Sequence, residues 1–149
     1  MAEAVARGGS RYALVVATPR RRARETAELI GGRLDRVLPE LPPDLEPILS
    51  LADYLGLREL SDWIAFVRRN AGARALADEQ LRVWAGLVTS VSEGQSVLAA
   101  SHGGTIEIPA AALAARLGAE FTGPSFGYCE GVRVSFERTA PVGVEVLRV

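Results

Sequence analysis

The only histidine of the chain lies in a segment whose residue types suit the binding of an anion. His102 stands in the stretch AASHGGTIE, residues 99–107, between a serine and two glycines. An imidazole changes its charge near neutral pH, and glycine lets a ligand approach the backbone closely. A lone histidine is more often a packed or surface residue, but this glycine-flanked position after an apolar run favours a functional site.

A second candidate segment is rich in arginine. Residues 18–32, TPRRRARETAELIGG, follow the apolar run YALVVAT at 12–18. The run predicts a buried strand, and the segment after it predicts a helix with Pro19 at its first position and glycines at its end. Arg22 lies in the first turn of this helix, so its guanidinium can reach back toward the strand end and hold two phosphate oxygens. A solvated helix face and a weak nucleic-acid patch are the alternative interpretations of the arginine run.

The histidine segment has the same order of elements as the arginine segment. Residues 96–101, SVLAAS, predict a second buried strand, and TIEIPAAALAARLG at 105–118 predicts the helix that follows. If the two strands are parallel neighbours, both polar turns emerge at the carboxyl edge of one sheet, where α/β proteins bind ligands. Helix N-termini at that edge favour an anion. The pattern therefore predicts an anion site formed by Arg22, His102 and the backbone of Gly103.

The remaining elements predict a single α/β domain over residues 1–149. Residues 38–47 are a proline-rich loop, residues 48–72 contain one or two helices, and residues 76–93 form another helix. Two alternating segments, 131–138 and 142–149, predict an antiparallel pair joined through a Pro-Val-Gly sequence. Strands that alternate with helices predict a three-layer α/β/α sandwich around a mainly parallel sheet.

Composition and charge limit the function classes. The chain of 149 residues has a formal net charge of −1, and 48% of its residues are hydrophobic, so it should be a soluble globular protein. This balance gives no general attraction to nucleic acid or to anionic membranes. No apolar run could span a bilayer, and the amino-terminal segment MAEAVARGG lacks a signal-peptide core, so a cytoplasmic location is expected. With a single cysteine, Cys129, neither a disulfide nor a zinc cage is expected, and no metal or other cofactor is predicted.

Two motifs resemble those of one protein family. TPRRRARETAEL resembles the S-P-x-x-R-A-x-x-T-A segment of the histidine phosphatase superfamily, the phosphoglycerate mutase-like proteins, and SHGGTIE resembles its second-histidine motif. The likeness covers nearly the whole chain and implies a phosphoglycerate mutase-like sandwich. It implies that Arg22 clamps a phosphate, that His102 stabilises a transferring phosphoryl group, and that the Gly103 amide completes the anion site.

The sequence departs from that family at the nucleophile. The family's Arg-His-Gly motif is absent, so the resemblance implies that the first strand is missing and that phosphatase activity is lost or impaired in this chain. His102 is a poor substitute, because its use as nucleophile would leave Arg22 and backbone donors alone around the phosphoryl group. For the family's general acid, Glu46 is the best-placed candidate and Asp53 the next, while a simply solvated carboxylate is the alternative.

Two functions from different classes remain. The first is the binding of a phosphate or phosphomonoester, and the alternative is a non-catalytic protein-interaction module, a pseudophosphatase. Loss of an interior strand would leave an open sheet edge, so a homo-oligomer is expected. Nucleic-acid binding through the arginine run is a third interpretation, which the charge balance disfavours.

Overall fold

A computed structural model of the chain describes residues 12–39 and 45–149. The amino-terminal segment MAEAVARGG and the middle of the predicted proline-rich loop lie outside the described residues. The described elements are β1 (Tyr12–Ala17), α1 (Arg21–Gly31), β2 (Arg36–Val37), α2 (Leu51–Gly56), α3 (Leu60–Arg69), α4 (Ala71–Thr89), β3 (Ser96–Ala100), α5 (Glu107–Leu117), β4 (Gly131–Glu137) and β5 (Ala140–Leu147).

The two strands that precede the polar turns are parallel neighbours, as the sequence predicts. Their sheet has the order β2-β1-β3, and both pairings are parallel. The predicted burial of the second strand is wrong, because β3 is an outer strand of the described sheet and only Ala100 of its five residues is buried. Ala17 at the end of β1 pairs with Ala100 at the end of β3, so the two strands end at the same level. Strand β2 was not predicted; it spans two exposed residues, and the Asp35 carboxylate beside it accepts a hydrogen bond of 2.8 Å from the Val15 amide.

Helix α1 packs on the sheet through small residues. Ala23 and Ala27 are buried with Val15 of β1 in a small core. A methyl group on Gly31 would lie 2.7 Å from both γ-carbons of Val15, so the end of the helix needs glycine for this close approach. The predicted start is wrong by two residues, because the helix begins at Arg21, with extended backbone at the preceding arginine, and not at the proline.

A larger core lies among the remaining helices. Trp63 of α3 is buried, as are the residues of α5 from Ile108 to Ala114, most of which are alanines that allow neighbouring helices to approach closely. The predicted helix at 76–93 in fact spans 71–89, because the Asn70 side chain caps its start by accepting a hydrogen bond of 2.9 Å from the Ala73 amide. The region predicted to hold one or two helices contains both α2 and α3.

The last two strands form the predicted antiparallel pair. Strand β4 pairs with β5 in a two-stranded sheet that is separate from the parallel one. The turn between them lies at Arg138 and Thr139, earlier than the predicted Pro-Val-Gly sequence, and Arg138 has a positive φ of 56°. The mixed α/β class and both kinds of strand pairing are therefore confirmed, while the specific three-layer fold stays a prediction.

Candidate functional site

The two polar turns start side by side at the carboxyl edge of the parallel sheet. The Thr18 amide donates a hydrogen bond of 3.0 Å to the Ala100 carbonyl, which joins the first residue after β1 to the last residue of β3. From this point one turn leads to Arg22 and the other to His102. The structure therefore brings together the two backbone segments on which the predicted anion site depends.

The start of α1 is electropositive. The preceding residue, Arg20, makes no side-chain cap, and the first turn of the helix contains no acidic residue. The early amides of a helix have no partners within it, and its macrodipole adds partial positive charge there. Arg21 is paired along the helix with Glu25 at 2.7 Å, whereas the Arg22 side chain is exposed and has no ion pair within the described part of the chain.

The hydroxyl of Thr18 has no partner at this edge. Among the residues that the structure describes, its oxygen is the one buried side-chain polar atom without a hydrogen bond. A buried hydroxyl that lacks a partner costs free energy, which a bound ligand would recover. The sequence analysis gave Thr18 no role, although a polar residue directly after a buried strand is a readable signal.

Hydroxyl groups brace the histidine turn. Thr105 donates to the His102 carbonyl at 2.6 Å, and its oxygen lies 2.7 Å from that of Ser101. Since the single proton of Thr105 is used on His102, Ser101 is the donor in the second bond. The His102 side chain is 7% exposed, and its Nδ1 lies 3.4 Å from the Gly103 carbonyl. The His102 imidazole therefore lies on a turn whose backbone is held by the Thr105 hydroxyl.

A buried carboxyl group holds the second glycine of this turn. Glu107 is 1% exposed and accepts a hydrogen bond of 2.7 Å from the Gly104 amide. Burial raises the pKa of Glu107, while the backbone donors oppose that rise. Gly104 has a φ of 84°, a conformation that side-chain-bearing residues rarely adopt. The Gly104 amide is therefore used within the protein, and the predicted anion contact of this turn rests on Gly103.

An aromatic hydroxyl that the sequence analysis missed lies over the turn. A methyl group built on Gly103 would be 2.7 Å from the Tyr54 hydroxyl oxygen. Tyr54 belongs to α2, some fifty residues earlier in the chain, so no local pattern links it to the histidine motif. A similar methyl group on Gly104 would be 2.8 Å from a side-chain carbon of Leu45. Helix α2 and the segment before it therefore cover the glycine turn.

The structure separates the two candidate acids. Glu46 lines a cavity of about 260 Å³ together with Leu45, Leu49, Leu51 and Tyr54, next to the glycine turn. Asp53 lines a different hollow of about 230 Å³, whose other lining residues belong to α2, α3 and their connection. Its carboxylate also accepts a hydrogen bond of 2.6 Å from Ser50. Of the two, Glu46 is the one in the wall beside the histidine turn.

Comparisons of the chain with protein-family models, with curated proteins and with solved structures find no match. Within residues 12–39 and 45–149, no group of three or more histidine, cysteine, aspartate or glutamate side chains has the arrangement of a metal site. Over the same residues, no helix is both long and apolar enough to cross a membrane.

Proposed function

We propose that this chain is a histidine phosphatase-like domain that binds phosphate or a phosphomonoester between Arg22, His102 and the Gly103 backbone. One observation carries the proposal: the register that puts Thr18 beside Ala100, with an unpartnered hydroxyl at the point where both turns begin. Arg22, His102 and Gly103 lie within a few residues of that point along the chain.

The donors suit a phosphate dianion. The guanidinium of Arg22 can bind two phosphate oxygens in parallel. The early amides of α1 and the Thr18 hydroxyl supply neutral donors, and the His102 imidazole supplies a further ring N–H donor. A phosphoryl group carries its charge on several oxygens, so a ring of fixed donors stabilises both the bound ligand and a transferring group. Glu46 is the proposed proton donor to a leaving oxygen, from the wall beside the turn.

Phosphatase activity is proposed to be lost or impaired in this chain. Transfer through a phosphohistidine needs one imidazole to attack and other groups to hold the phosphoryl oxygens, and the sequence contains a single histidine. His102 is moreover largely buried on its braced loop. The function best supported is therefore binding of the phosphorylated ligand.

Isothermal titration of the chain with inorganic phosphate and with vanadate tests this proposal. Arg22→Ala and His102→Ala are each expected to weaken binding by about tenfold to a hundredfold, because each removes a charge-assisted hydrogen bond of about 1.5–3 kcal/mol. Arg24→Ala is the matched control, since Arg24 is an exposed arginine of the same helix two residues further on. Wild-type affinity in both test variants, or no binding by the wild type, would show that the proposed site is wrong.

Strand β3 has an edge that pairs with no other described strand, and this edge favours the second candidate function, an interaction module. Strand β3 is an outer strand of the described parallel sheet, and its residues Ser96 and Ala99 are exposed. Unpaired edge strands are templates for pairing with another chain. If this edge is the functional surface, the protein self-associates or captures an extended segment of a partner.

Light scattering coupled to size-exclusion chromatography measures self-association. The wild type is expected to be dimeric at micromolar concentration, and Ala99→Lys is expected to shift it toward the monomer, because a lysine on an edge strand opposes pairing. Arg24→Ala again provides the control. A wild type that stays monomeric over the whole concentration range would contradict the proposed homo-oligomer.

A further inference from the structure

We infer that the hydroxyl of Tyr54 is a further binding group of the proposed anion site, where it donates a hydrogen bond to a phosphate oxygen held on the Gly103 turn. The inference rests on the proposed function and adds a residue of α2 to donors that otherwise come from the segments after β1 and β3.

The Tyr54 hydroxyl is within reach of a ligand bound to the Gly103 amide. A Cβ atom on Gly103 would lie 2.7 Å from the hydroxyl oxygen. Since a Cβ atom lies about 2.5 Å from the amide nitrogen of its own residue, the hydroxyl oxygen lies no more than about 5 Å from the Gly103 nitrogen. Hydrogen bonds between these donors and oxygen are about 2.7–3.0 Å long. One phosphate group can therefore accept from the amide and from the hydroxyl together.

The close approach of Tyr54, and not the backbone conformation, requires glycine at position 103. Gly104 has a positive φ, which favours glycine, but Gly103 does not. Its backbone therefore permits a side chain, and the Tyr54 hydroxyl lies against the place where the first side-chain carbon would be. The two nearest ring carbons are 3.6 Å from that place, which is an ordinary contact distance. The hydroxyl group alone excludes a side chain from the turn.

The Tyr54 hydroxyl is available to a ligand. Among the residues that the structure describes, none forms a hydrogen bond with it. The ring packs edge-on against Trp63, with ring centroids 6.1 Å apart, and a phenylalanine ring would make the same contact. Tyr54 is 43% exposed, so a ligand can approach it from solvent. The fold thus uses the ring of Tyr54 and leaves its hydroxyl for another partner.

A buried tryptophan holds the Tyr54 ring in place. Trp63 is 1% exposed, and its indole nitrogen donates a hydrogen bond of 2.8 Å to Ser125. A donor that is already oriented loses less entropy when it binds a ligand. The tyrosine is therefore positioned before the anion arrives.

A neutral donor on this side suits an anion with several oxygens. The guanidinium of Arg22 can bind two oxygens of a phosphate in parallel. A phosphomonoester has a third terminal oxygen, which is left for donors on the histidine turn. A hydroxyl that donates to an ionised oxygen forms a charge-assisted hydrogen bond, which is stronger than a bond between neutral groups.

Isothermal titration with inorganic phosphate tests the inference. Tyr54→Phe keeps the ring on Trp63 and removes only the hydroxyl, and it is expected to weaken phosphate binding by about tenfold, because one hydrogen bond to a charged group is lost. Tyr128→Phe is the matched control, because Tyr128 is 87% exposed in the segment before β4, and it is expected to bind phosphate like the wild type. Chemical denaturation of Tyr54→Phe is expected to give the wild-type midpoint, since no described residue bonds to the hydroxyl.

Gly103→Ala tests the contact between the hydroxyl and the turn. The added methyl group would displace the Tyr54 hydroxyl, so in the wild-type background Gly103→Ala is expected to weaken phosphate binding about as much as Tyr54→Phe does. In the Tyr54→Phe background there is room for the methyl group. Gly103→Ala is expected to have little further effect there, because the two changes remove the same interaction.

The outcomes separate this inference from the proposed function. If the wild type and Tyr54→Phe bind phosphate equally well, the inference is overturned and the proposed function stands. The inference also fails if Gly103→Ala weakens binding equally in both backgrounds, or if Tyr54→Phe lowers the denaturation midpoint, which would give the hydroxyl a structural role. Absence of phosphate binding by the wild type would overturn both proposals.

Discussion

Replacing Trp63 with alanine is expected to lower the free energy of unfolding by about 3–5 kcal/mol, the usual cost of removing a buried tryptophan side chain. Trp63 is 1% exposed and contacts Tyr54 and Phe66 edge-on, with ring centroids 6.1 and 6.4 Å apart. Its indole nitrogen also donates to Ser125, whose hydroxyl in turn donates to the Leu57 carbonyl at 2.8 Å. One side chain therefore joins α3 to the end of α2 and to the segment before β4.

Chemical denaturation followed by circular dichroism measures this loss. Trp84→Ala is the matched control, because Trp84 is half-buried on α4 and its loss should cost less. If Trp63→Ala does not fold, Trp63→Phe keeps a ring in the core but removes the donor to Ser125, and it should still be less stable than the wild type. Equal unfolding free energies for Trp63→Ala and Trp84→Ala would contradict the central role of Trp63.

Replacing Glu107 with glutamine is expected to change the pH dependence of stability. Burial raises the pKa of Glu107 in the folded chain. As pH rises, the unfolded chain loses this proton first, so the folded chain binds more protons and the free energy of unfolding falls. The stabilisation that Glu107 gives is therefore complete below its unfolded pKa and is lost as pH rises through its folded pKa. Glutamine has no proton to lose, so the stability of the variant relative to the wild type should increase with pH.

Unfolding free energies measured from about pH 4 to pH 8, a range that begins near the ordinary carboxyl pKa, test this expectation. Glu93→Gln removes the same charge from an exposed position and is the control. Glu107→Ala is expected to cost about 1–3 kcal/mol at the acid end of the range, because the Gly104 amide loses its acceptor. A stability of Glu107→Gln relative to the wild type that falls as pH rises would show that the sign is wrong.

These two side chains connect the core to the candidate site. Trp63 supports Tyr54, which covers Gly103, and Glu107 holds the amide of Gly104. Tyr54 and the Gly104 amide are therefore each held by a buried side chain and not by an exposed loop. Such support favours a turn with one conformation, which a site for a small anion requires.

Local sequence pattern predicted the strands and helices whose own residues show a clear apolar periodicity or a recognised turn. Strands β1 and β3 were found because short apolar runs stand before polar turns, and the β4–β5 pair was found from its alternation. Strand β2 was missed because it is two exposed residues long and depends on the contact between Asp35 and the Val15 amide, twenty residues apart. The start of α4 was missed because the cap at Asn70 was not recognised as one.

The candidate site was also predicted only in part, because local sequence pattern does not show contacts between distant segments. Arg22, His102 and Gly103 were chosen because they follow strand ends, and the parallel register places those ends together. Their roles in binding, and that of Glu46, remain predictions. Thr18, Tyr54 and Glu107 were missed, because their surroundings depend on how distant segments pack.

By itself, the sequence determined which segments form strands and which polar turns follow them, since apolar pattern and turn chemistry act over a few neighbouring residues. Only the tertiary structure decided that the Thr18 hydroxyl lacks a partner, that Tyr54 lies over Gly103, and that Glu46 and not Asp53 lines the cavity beside the turn. Those facts depend on contacts between residues some fifty positions apart, which form when side chains fill a shared core and which no local spacing encodes.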